Sequence, residues 1–234
     1  MNDRRSIPRL LVIIWLFGAA SSAHAGVGKT LDEQLKALSD PDPKIRKQGA
    51  LALKNRPEDR VIVELEKALD DKDASVRDVV RDTLRTLPGG SIILVLHHMK
   101  RTSEGLVAVR VETEKVLAEH QKSGRPIEAN SLKVAIAKIV KLKEEPSAIR
   151  AEMTFTAERA AKLDPVEKQR LAKMYRARVS ETLEQLGQAR GALAKVLENV
   201  EKTAPDAAKV LTSALQEFER LFQELARPVK KLDK

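Results

Sequence analysis

The sequence contains no cysteine. That excludes disulfides, thiolate metal sites and a lipid anchor built on a cysteine at a signal cleavage site. Aromatic residues make up only 3%. The core must therefore be assembled from aliphatic and alanine side chains, which suits closely spaced helices better than a sheet. Long apolar runs are also missing: the stretch Leu10 to Ala20 has 11 residues, against the roughly 20 that a membrane-spanning helix needs. What is there is a chain of 234 residues, 42% hydrophobic and 33% charged. That is the composition of a soluble protein with a real core and a well-charged surface, long enough for one large or two small domains.

The first 25 residues have three parts. Arg4, Arg5 and Arg9 form a positive start, Leu10 to Ala20 an apolar centre, and Ala23-His24-Ala25 a small-x-small cleavage pattern before Gly26. This order predicts a signal peptide cut between Ala25 and Gly26, and hence a periplasmic or secreted protein. Cleavage removes three Arg and one Asp, so the mature chain stays basic, two charges below the +9 of the full sequence. Across the same junction, Ala23-His-Ala-Gly-Val-Gly28-Lys29-Thr30 imitates a loose phosphate-binding loop. A working loop needs a strand running straight into it and a helix behind it. Here the cleavage site would cut the motif in two, so the match is read as coincidence.

A repeat with a period of 31 follows. Leu38, Asp40, Asp42, Ile45, Arg46, Leu53 and Pro57 recur as Leu69, Asp71, Asp73, Val76, Arg77, Leu84 and Pro88. Each unit reads as two helices. Thr30 with Glu33 forms a capping box before the first, and Asp42, then Asp73, caps the second. Pro43 stands at a position where a missing amide hydrogen costs nothing, and Pro88-Gly89-Gly90 is a stop signal. Asp42/Arg46 and Asp73/Arg77 lie four apart, a spacing that predicts ion pairs along one helix face worth ~0.3–0.5 kcal/mol each.

In its Leu-x-Asp-x-Asp-x-x-Ile/Val-Arg turn and the Ala/Leu-rich helix after it, the sequence resembles the HEAT-repeat family in its short bacterial form. The resemblance is clearest over 31–88 and extends to about 121. Residues 91–121 are expected to keep the helix pair as a third, terminal unit, although Thr102 and Ala108 replace the repeated Asp and Arg. The resemblance implies a protein-interaction surface and carries over no catalytic residue. A helix pair cannot bury its apolar stripe alone, so such units stack.

Residues 122–130 form a polar Gly/Pro linker, and 131–227 read as a helical bundle before a basic tail, 228–234. Ser131 is expected to cap a helix that ends before Pro146, and Ser147 to begin the next. Asp164-Pro165-x-Glu167 opens a long helix with an apolar stripe from Leu171 to Val200. Thr203-Ala-Pro205-Asp206 turns the chain into a last helix antiparallel to it. Gly187 and Gly191 in the long helix point either to close contact with a neighbour or to a soft spot in an exposed face. The expected fold class is thus all-α: a short HEAT-like repeat stack over 26–121, then an antiparallel bundle.

Candidate chemistry is thin. His97 and His98 are adjacent, so one helix points them about 100° apart and cannot aim both at one metal. They read, with His120, as surface or boundary residues. Glu144 and Glu145 beside Lys143 read as a solvated helix end. The densest basic stretch is Lys168, Arg170, Lys173, Arg176 and Arg178, against one acid, Glu167. It is a candidate anion-binding surface, but only Tyr175 is near it, so no platform for stacking bases exists. No nucleic acid, cofactor, metal or catalytic residue is expected. The expectation is a non-catalytic envelope scaffold that binds another protein through its repeat surface. The alternative is a binder of anionic lipid or polymer through 168–178.

Overall fold

The computed structural model describes residues 30–125, 127 and 129–231; for 129, 207 and 225–231 it describes the backbone alone. The expected signal peptide, its cleavage site and all but Thr30 of the phosphate-loop look-alike lie outside these residues. Among the described residues every regular element is helical: α1 (Leu31–Ala37), α2 (Pro43–Ala52), α3 (Asp59–Ala68), α4 (Ala74–Thr86), α5 (Gly90–Ser123), α6 (Lys133–Lys141), α7 (Glu145–Lys162), α8 (Pro165–Thr203) and α9 (Pro205–Lys231). The protein is all-α.

The period-31 residues make the same bonds twice. Thr30 and Glu33 close the capping box on α1. Asp42 accepts from the Lys44 amide at 2.8 Å, and Asp73 from the Ser75 amide at 2.8 Å. Asp40 and Asp71 accept from the amides of Asp42 and Asp73, both at 2.8 Å. Arg46 Nη1 donates to the carbonyls of Asp40 and Pro41, and Arg77 Nη1 to those of Asp71 and Lys72. The expected Asp42–Arg46 pair does not form. Arg46 instead reaches into the next unit, where Nε and Nη2 meet the two carboxylate oxygens of Asp71 at 2.6 and 2.8 Å. Asp73 likewise serves its own helix start rather than Arg77. In both units the arginine Nη1 is drawn instead to the two carbonyls of the turn before its own helix.

Residues 91–121 correct a second expectation: they form one helix, not a pair. α5 has 34 residues, a rod of about 50 Å. It lies alongside α8 and runs parallel to it. Gly89 touches Leu171 and Tyr175 at one end, and Val116 and Leu117 share a cluster with Val200 at the other. α9 returns antiparallel along α8, with Gly187 facing Phe222, Arg190 paired with Glu219, and Val200 clustered with Ala208. α5 runs two residues into the expected linker, to Ser123; Gly124 follows in the left-handed region at φ 66°, and a 3-10 turn begins at Ala129. α6 starts after a 3-10 turn without a Ser131 cap, α7 starts at Glu145 rather than Ser147, and α9 continues to Lys231, into the expected tail.

Two large clusters make the core. The first joins Leu53, Leu65, Val76, Val80 and Leu84 of the helix pairs to Ile93, Leu94 and Leu96 of α5 and to Leu171 and Tyr175 of α8. The second joins Met99, Leu106 and Val109 of α5 to Ile139, Ile149, Leu186, Leu193, Leu211 and Phe218. α5 belongs to both, and the helices on either side of the 122–130 connection are packed together.

Candidate functional site

The basic stretch at the start of α8 is only partly open. Arg170 bonds Glu167 at 2.8 Å and reaches Asp59 of α3 at 3.2 Å. These hydrogen bonds hold its guanidinium even more firmly protonated than usual. Arg178 pairs with Glu66, about two α3 turns further on. Between them Tyr175 is buried, and burial pushes its phenol above the ordinary value. Lys168, Lys173 and Arg176 are exposed. Two of the five predicted cations thus tie α8 to α3, and all five remain exposed.

Beside this seam lies a groove of about 490 Å³ between α3, α5 and α8. Val63, Glu66, Lys67 and Asp70 come from α3 and its end, Leu96, His97 and Lys100 from α5, and Arg178, Thr182 and Gln185 from α8. Its wall carries two acids and three permanent cations around two aliphatic side chains. The Thr182 hydroxyl donates to its own helix at the Arg178 carbonyl, 2.8 Å away.

His97 stands in the groove wall with its ring buried. Burial lowers its pKa below the usual histidine value, outweighing the pull of Asp70, while the charges of His98 and Arg101 act in the same direction as burial. Its Nε2 is 3.8 Å from Asp70 Oδ1, beyond hydrogen-bond reach. His98 points elsewhere, Nδ1 lying 2.6 Å from Glu145 Oε2 of α7, and the two rings stand edge to face at 73°. Glu145 is therefore no solvated helix end, as the sequence suggested, but 8% exposed. Burial raises its carboxyl, yet the His98 hydrogen bond and the His98 and Arg101 charges together hold it below the ordinary range. Among the described residues no three His, Asp or Glu side chains converge as metal ligands would.

Sequence reasoning misread Glu145 and missed Glu152 and Asp70. Glu152 is buried on α7 and takes Arg85 of α4, while Arg159 caps the last carbonyls of α4 at Arg85 and Thr86. One signal was present: Glu145 directly precedes Pro146, the pairing that opens a helix. Among the described residues no helix is long and apolar enough to cross a membrane. Compared with family models, curated proteins and solved structures, the chain matches none.

Proposed function

We propose that this chain is an exported, non-catalytic binding protein of the cell envelope, with α1–α4 as HEAT-like units, and that it holds another protein in the α3–α5–α8 groove. The observation that carries this reading is the groove's lining, an aliphatic floor of Val63 and Leu96 under charges of both signs. Mixed charge around apolar contacts suits a protein segment better than a uniformly anionic polymer. The groove's hydroxyl, on Thr182, is engaged with its own backbone, which fits binding rather than nucleophilic chemistry. Export rests on the N-terminal pattern of residues 1–25.

A second reading, attachment to anionic lipid or polymer, is favoured by the exposed, predominantly basic start of α8 from Lys168 to Arg178. The two readings part under mutation. Asp70→Lys with Lys100→Glu rearranges the groove without changing net charge; Lys173→Glu with Arg176→Glu reverses the outer basic face. Cross-linking in intact cells, read by mass spectrometry, should lose its dominant protein adduct in the first variant and keep it in the second. The same adduct surviving the groove variant would sink the proposal. Loss of envelope retention in the second variant alone, reversible by salt in the wild type, would favour the lipid or polymer reading. A mass beginning at Gly26 in the periplasmic fraction is expected, and a full-length cytosolic chain would refute export.

A further inference from the structure

A smaller cavity, separate from the groove, lies where α4 turns into α5. It holds about 210 Å³ and opens between the α4–α5 corner, α7 and α8. Its walls are aliphatic: Leu87, Ile92, Ala160, Leu163 and Leu171. Its charged lining residues are Arg159 and Lys168, with no carboxylate.

The polar end is the start of α5. Gly89 precedes this helix at φ 77° and supplies no side-chain cap. The Gly90, Ile92 and Ile93 amides reach the carbonyls of Leu87 and Gly89. Among the described residues the Ser91 amide reaches none. The Ser91 side chain compounds the deficit. It is 3% exposed, it lines the cavity, and its buried hydroxyl has no hydrogen-bond partner. Native interiors pair the large majority of such groups. A long helix adds partial positive charge at this end.

From these features we infer that the cavity is a binding site for a small aliphatic carboxylate, a medium-chain fatty acid. Its carboxylate accepts from the Ser91 hydroxyl and amide, with Lys168 as counter-charge at the mouth, and its chain lies against Leu87, Ile92, Leu163 and Leu171. The volume sets the size class, since sites for drug-sized ligands occupy roughly 300–1,000 Å³. The sign of the head follows from the all-cationic rim and the helix start. This inference does not depend on the protein-binding reading of the groove.

Octanoate is the probe, titrated into the full chain while the Ile92 and Leu163 methyl resonances are followed, with octanol and octylamine as controls. Saturable shifts with octanoate are expected, and much weaker ones with either control. Ser91→Ala should weaken octanoate about tenfold, as loss of a hydrogen bond to a charged group does, while leaving the unliganded protein as stable as before, because that hydroxyl has no partner to lose. Lys168→Glu, at an exposed position, should weaken binding without touching the core. No saturable shift at millimolar octanoate would overturn the inference. So would equal binding of octanol, or unchanged affinity in both variants.

Discussion

Arg46 shows where linear spacing misleads. Its nearest acid along the helix is Asp42, but the side chain crosses to Asp71, 25 residues on, and clamps both carboxylate oxygens. Both side chains are almost covered, at 6% and 8%, in a turn close to the surface. Asp71→Asn keeps an acceptor for the Asp73 amide but removes the charge that Arg46 grips. The melting temperature should fall by a few degrees. The Arg46 hydrogen bond holds the Asp71 carboxyl below the ordinary range, although burial opposes it. A depressed folded-state pKa stabilises the protein above the unfolded value of about 3.9, and the contribution is lost as pH falls through the folded one. Thermal melts from pH 5 to pH 2 should therefore drop less steeply in Asp71→Asn than in the wild type; parallel curves would refute the assignment. His97 carries the same sign in a different window. Its lowered pKa means the fold prefers the neutral ring, so stability is intact above about pH 6.5 and declines below it. Its imidazole resonances should titrate below those of a model histidine. A midpoint at or above the model value would show that Asp70 dominates over burial.

Helix starts were the most legible elements. Thr30, Asp42, Asp73 and Asp164 all cap where the sequence placed them, because a cap is a local bond between a short polar side chain and amides two or three residues on. The 91–121 segment was misread because the period was carried past its chemistry. Thr102 at the repeated Asp position lies mid-helix, fully buried, with its hydroxyl on the His98 carbonyl. Gly105 does not break α5: a methyl there would come within 2.5–2.6 Å of the Leu142 side chain, so the glycine serves close packing. Gly187 and Gly191 separate two such roles within α8. A methyl on Gly187 would stand 3.0 Å from the Phe222 ring, whose face also carries the Arg190 guanidinium at 4.8 Å; one on Gly191 would meet nothing within 4 Å. Gly191→Ala should thus stabilise by about 0.5–1 kcal/mol through helix propensity alone. Gly187→Ala gains the same propensity but must displace the ring, so it should be neutral or destabilising. Urea unfolding of the two variants measures the contrast, and an equal gain in both would show that the α8–α9 contact is loose.

Periodicity says which face of a helix is covered but not by which neighbour, and that gap hid both the groove and the way the chain is joined. Asp70, His97 and Arg178 meet from three elements although no local pattern relates them. The same holds for α5, whose stripe gave no hint that it fills two cores at once. Met99, Leu106 and Val109 are 1%, 0% and 0% exposed against partners from beyond residue 130. Each such side chain is worth about 1.5–3 kcal/mol when buried, so the three together approach the about 5–15 kcal/mol that keeps a typical domain folded. A fragment of residues 30–125 should lose that contribution along with the cover that Leu171 and Tyr175 give the helix pairs. It is expected to show helical circular dichroism without a cooperative melt. The full chain should unfold in one transition, coincident by far-ultraviolet dichroism and by Tyr175 fluorescence, since that ring sits where the helix pairs, α5 and α8 meet. Adding residues 127–231 in trans should restore cooperativity to the fragment. A fragment that melts on its own with the full chain's steepness would mean that α5 is only borrowed by the second core, and that the repeats are the independent unit their sequence resembles.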